Sequence, residues 1–129
     1  MVKVSWVVDL ELITDWLAGL DDRSHELVIA ALELLAERGP LLGRPLVDTV
    51  TSSRHNNMKE LRPGSASRTE LRALFAFDPQ RAAIMLVAGD KQGQWKRWYD
   101  QHIPIADDLF DTHLDKLKQT KQQKGRKRR

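Results

Sequence analysis

Between Met58 and Lys91 the chain alternates in a pattern that few folds accommodate. Three stretches read as neighbouring strands, at about 57–62, 70–77 and 82–89. A short polar loop separates the first two. The last two are joined by Asp78-Pro79-Gln80-Arg81, with proline where a type I turn prefers it. Alternate side chains of a strand point to opposite faces. In the middle strand Leu71, Ala73, Phe75 and Phe77 share one face, and Arg72, Leu74 and Ala76 the other. In the first, Glu60 and Arg62 lie opposite Lys59 and Leu61. This predicts a sheet with one apolar face and arginines on the other, suited to an anionic partner. The stretch 82–89 is continuously apolar, as a central strand buried on both faces would be.

The flanks supply helices. Val2 to Val8 reads as a strand. Asp9 can cap a helix carrying Ile13, Trp16, Leu17 and Leu20 at helical spacing. Asp21, Asp22 and Ser24 offer a second cap, and the next helix runs to about Arg38, ended by Gly39-Pro40. Together they predict an antiparallel helix hairpin. Residues 39–57 read as loop with a short strand near Leu46–Val50. Pro104 suits the first turn of a final helix. The fold class is therefore α+β: a small antiparallel sheet of about four strands on an N-terminal helix hairpin, with a C-terminal helix. Residues 1–118 form one domain, and 119–129, with no apolar residue, form a flexible basic tail.

Charge is segregated along the chain. Residues 1–41 carry a net −5, residues 42–99 a net +5, residues 100–119 a net −3, and the last ten a net +6. Acidic helices beside a basic sheet region favour nucleic acid as partner of the sheet. There is no cysteine, which excludes disulfides, thiolate metal ligands and cysteine nucleophiles. Histidines 25, 55, 102 and 113 have no metal-ligand spacing, so neither metal nor other cofactor is expected. No apolar run approaches a membrane span and no signal-peptide layout opens the chain, so a cytoplasmic location with no membrane partner is expected.

The order of Met-Lys-Glu-Leu-Arg (58–62), Leu-Arg-Ala-Leu-Phe-Ala-Phe-Asp (71–78), Gly-Asp-Lys (89–91) and Ile-Pro-Ile-Ala-Asp-Asp-Leu-Phe (103–110) resembles the RelE/HigB-like toxins of bacterial type II toxin–antitoxin modules, in the branch related to phage Gp49 proteins. The resemblance covers roughly residues 3–118. It implies a RelE-like fold, a ribosome-dependent mRNA endonuclease that inhibits translation, and a helix-turn-helix antitoxin partner.

RNA cleavage by 2′-hydroxyl attack needs a base, positive charge for the developing phosphorane, and an acid for the leaving oxygen. Arg62 and Arg72 match the family's strand arginines and are expected at the scissile phosphate. A structural ion pair with Glu60 or Glu70 is the competing reading. Glu60 beside two arginines reads as structural more readily than as base. Lys91 matches the lysine that ends the family's last core strand and can neutralise a phosphate. Tyr99 is the expected acid–base residue, since RelE-like members carry a tyrosine in this region, with His102 as the other choice. Trp95, Lys96, Arg97, Trp98 and His102 interleave aromatics with cations, a composition that holds RNA but equally covers a core. His55, Lys59 and Arg68 complete the RNA-binding candidates, Lys59 on the face opposite Arg62. Two other functions fit the same residues: a ParE-like gyrase poison without chemistry, and a non-catalytic RNA-binding regulatory module.

Overall fold

The computed structural model describes residues 5–64, 66 and 68–127, with side chains as far as residue 122. Five strands form one sheet: β1 (Val7–Asp9), β2 (Val47–Thr49), β3 (Met58–Leu61), β4 (Leu71–Phe77) and β5 (Ala82–Asp90), in the order β1-β5-β4-β3-β2. β2 to β5 pair antiparallel with their neighbours, and β1 adds parallel to β5. The sheet thus has one strand more than expected. The strand read at the N-terminus is confined to Val7–Asp9, and the expected residues 2–4 lie outside the described ones.

Before β2 come α1 (Thr14–Ala18), extended at its start by a short 3-10 turn, and α2 (Asp22–Arg38). Asp21 caps α2 by accepting from the Ser24 amide, and the Ser24 hydroxyl first and this amide second hold the Asp21 carboxyl below its usual range. Gly39 ends α2 at φ 55°, and a Cβ there would stand 2.3 Å from the Trp6 indole, so only glycine fits. α3 (Trp95–Lys127) follows the sheet. Among the described residues no helix is long and apolar enough to cross a membrane.

Both faces of the sheet are covered. Leu61, Leu71, Ala73, Phe75, Ala83 and Met85 pack with Val28, Ala31, Leu32 and Leu35 of α2. Met58, Leu74, Ala76, Ile84 and Leu86 pack with Trp98, Ile103, Ala106 and Phe110 of α3. The expectation of one open, arginine-bearing face is corrected here: Leu74 and Ala76 share that face with Arg72, and α3 lies across it. Only the end beyond Leu74 remains polar.

Two further expectations change. α3 begins at Trp95, and Pro104 sits inside it, exposed, rather than in its first turn. Pro104 removes one backbone donor, and the carbonyl it would have served, on Asp100, belongs to an exposed residue where water can satisfy it. The backbone also stays helical through Lys127, so most of the stretch expected to be an unstructured tail continues α3. Its glutamines and lysines are good helix formers. Arg128 and Arg129 lie outside the described residues.

One irregularity positions the polar end. Leu74 pairs with Val87 and Phe75 with Met85, leaving Leu86 as an extra residue in β5. Strict alternation from Ile84 would put Ala88 on the α3 face. The bulge puts Gly89 there instead, opposite Arg72 in register.

Candidate active site

At the polar end, three strands and α3 bring their charged side chains together. Glu60 of β3 is buried, and its Oε1 lies 2.6 Å from Arg62 Nε and 3.5 Å from Arg72 Nε. Arg62 also reaches Asp48 of β2, with its Nη2 3.4 Å from Oδ2. The Glu60 hydrogen bond holds the Arg62 guanidinium above its ordinary range, and Arg44 holds the Asp48 carboxyl below its own. Arg72 is two-pronged: Nη1 donates to the Leu71 carbonyl at 2.8 Å, while Nε is buried without a hydrogen-bond partner.

The alternation that puts Arg72 on the α3 face brings Tyr99 to it. Trp98 fills the space over Gly89, and the next residue, Tyr99, meets Glu60 and Arg72. Burial first, and the Glu60 carboxylate second, push the Tyr99 phenol up to about 12. It is therefore protonated and neutral at physiological pH. Lys91, at the end of β5, is also buried. Its ammonium sits 5.2 Å from the Tyr99 ring centre, 4.5 Å from that of Trp95, and 3.8 Å from Glu70 Oε2. Arg62, Arg72 and Tyr99, from three separated stretches, thus converge around the Glu60 carboxylate, and Lys91, paired with Glu70, flanks them through the Tyr99 ring.

The RNA-binding candidates divide. Trp95 is 60% exposed beside Lys91, and Lys96 and Arg97 are exposed on the same turn. Trp98 is corrected: at 2% exposed it is core, with no free face for a base. His102 stacks on Trp98 at 4.4 Å and its Nδ1 bonds the Trp98 carbonyl, which leaves it structurally engaged. Lys59 lies on the α2 side and donates to Thr49 Oγ1, as alternation requires. Arg68 is exposed in the loop before β4.

His55 belongs to a different cluster. Its Nε2 lies 2.7 Å from Asp111 Oδ1, and its ring meets Phe110 edge-on. Arg54 beside it pairs with Asp107, Asp108 and Asp111, and Ser53 hydrogen-bonds Asp107. This network latches the loop before β3 onto the middle of α3. Arg54, and His55 after it, hold the Asp111 carboxyl below its usual range. A further pair joins His113 Nε2 to the buried Asp78 at 2.8 Å, tying α3 to the β4–β5 turn. Neither contact was foreseen. The signal available was the run of acids at 107, 108 and 111, which one helical face presents together. Among the described residues no group of three or more histidines and carboxylates is placed to hold a metal ion.

A family model described as phage derived protein Gp49-like matches residues 15–111, which span α1 to the latch. The chain belongs to this Gp49-like family. Two proteins of Mycobacterium tuberculosis are similar to it. One, named "Putative toxin HigB2", is 58% identical over 127 residues, covering 98% of this chain and 63% of that protein. The other, named "Putative toxin HigB3", is 52% identical over 108 residues, covering 84% of this chain and 92% of that protein. The chain therefore spans less than two thirds of the length of the first relative and most of the second. The Gp49-like match includes Glu60, Arg62, Arg72, Lys91 and Tyr99.

Proposed function

We propose that this Gp49-like chain is the toxin of a toxin–antitoxin pair and a metal-independent mRNA endonuclease that works on the ribosome in the cytoplasm. The observation that carries the reading is the convergence of two guanidiniums on one side-chain oxygen, with a neutral phenol beside them. Similarity to two proteins named as toxins supports the coarser part.

In this reading a phosphate takes the place in front of Arg62 and Arg72 and accepts from the guanidinium of Arg72, whose Nε makes no hydrogen bond and only the 3.5 Å ion pair with Glu60. Lys91 adds charge from below. The 2′-hydroxyl attacks the adjacent phosphorus, a 2′,3′-cyclic phosphate forms, and the bond to the 5′-oxygen breaks. Tyr99 gives its proton to that oxygen. Glu60, in contact with the same phenol, takes the proton from the 2′-hydroxyl.

The antitoxin is expected to dock on the acidic helices, residues 9–38, and to inhibit by bulk. The test is induced expression in a bacterial host, followed by mapping of transcript ends and an assay of plasmid supercoiling. New transcript ends within coding regions, with supercoiling unchanged, are expected. Growth arrest with intact transcripts and altered supercoiling would replace this reading with that of a gyrase poison.

A further inference from the structure

Trp95 stands at the exposed edge of the polar cluster, beside Lys91. Its indole is 60% exposed, whereas Trp98 one turn on is 2% exposed. Its backbone has φ 35°, a strained conformation that a bulky side chain rarely adopts. The turn enforcing it is well tied: Gln94 and Trp95 both donate to the Lys91 carbonyl, at 3.0 and 3.1 Å, and Gly93 takes φ 75°. Strain spent on holding an aromatic ring in water is not explained by core packing.

The ring has a fixed backing. Lys91 Nζ lies 4.5 Å from its centre, and the same ammonium lies 5.2 Å from the centre of Tyr99. The two rings are thus within about 10 Å of each other. An indole with a cation seated near one face and water on the other offers a single stacking surface. Lys96 and Arg97, exposed on the same turn, can accompany the backbone of a strand laid across it.

We propose that Trp95 is a stacking platform for a nucleobase next to the phosphate held by Arg62 and Arg72, with purines preferred for their larger stacking area. The proposal rests on the RNA-binding part of the reading above and assigns to Trp95 the recognition of single-stranded RNA.

The test uses the full chain, at low salt, with a six-nucleotide uridine RNA carrying one 2-aminopurine, whose fluorescence falls on stacking. Wild-type protein should quench it, and Trp95→Phe should keep the quench. Trp95→Ala should lose the quench and bind about tenfold more weakly. Trp95→Leu, which still covers Lys91 but has no π-face, should behave as Trp95→Ala. Quenching by Trp95→Leu equal to that by Trp95→Phe, or no quench by wild type, overturns the platform. Quenching that depends on Trp95 in a protein that leaves transcripts intact keeps the platform and removes the nuclease.

Discussion

Trp98 lies so close to Gly89 that a methyl group on the glycine would stand 2.9 Å from the indole Nε1. The contact holds the start of α3 against the strand position opposite Arg72, and so sets where Tyr99 arrives. Gly89→Ala should therefore displace Trp98, lower stability by about 1–3 kcal/mol, and reduce RNA cleavage more than the stability loss explains. Denaturant unfolding alongside a cleavage assay at low temperature checks this. A folded Gly89→Ala protein with full activity would detach the glycine from the site.

The two arginines carry opposite risks when removed. Glu60 is 3% exposed, so taking both guanidiniums away leaves a buried charge unpaired, at about 3–5 kcal/mol. Arg62→Ala with Arg72→Ala should melt well below wild type. Arg62→Lys and Arg72→Lys singly keep a cation beside Glu60 but lose the planar fork. Each should keep the melting temperature within a few degrees and lose about a hundredfold in cleavage. Circular dichroism melts with timed primer extension separate the two effects.

Tyr99 is the chain's single tyrosine, so its ionisation can be followed directly by ultraviolet absorbance. The folded protein should titrate near 12, against about 10 for the denatured chain. Because the folded value is the higher one, the contribution to stability is complete below pH 10 and disappears as pH rises through 12. Tyr99→Phe should remove that alkaline loss and slow cleavage by about a hundredfold or more. A folded-state midpoint near 10 would mean that the phenol is neither buried nor held beside Glu60.

The latch between the loop before β3 and α3 should weaken in acid. Asp111 has a folded pKa below the usual carboxylate value, with Arg54 the first cause. Its contribution is present above about pH 4 and is lost as pH falls through the folded value. The stability difference between wild type and Arg54→Ala should thus be measurable at pH 6 and shrink as the pH falls through the folded value of Asp111. Equal melting of the two proteins at pH 6 would show that the pairs contribute nothing.

The proposed docking of an antitoxin is open to hydrogen exchange on the complex. Protection is expected in residues 9–38. Protection limited to 58–91 would move the inhibitor onto the site itself.

The strands at 58–61, 71–77 and 82–90 could be read from alternation and from the turn at Asp78, because those signals are local. The parallel pairing of β1 could not, since nothing in Val7-Val8-Asp9 states a partner or a direction. The bulge at Leu86 was equally silent in a stretch that is apolar throughout, yet it decides which residue lies under Trp98. Pro104 misled because proline is common in a first helical turn, while the true start at Trp95 follows a glycine turn without a side-chain cap signal. Arg62, Arg72, Lys91 and Tyr99 were nameable one at a time. Glu60, the common neighbour of Arg62, Arg72 and Tyr99, gains its place only from register across β3 and β4.

α3 joins distant things by one rigid axis. Its 33 residues extend about 50 Å, from Trp95 and Tyr99 at the site, past the latch at Asp111, to a lysine-rich end beyond the sheet. Such a rod is a ruler. A partner that grips the lysine-rich end is thereby held at a set distance from the phenol.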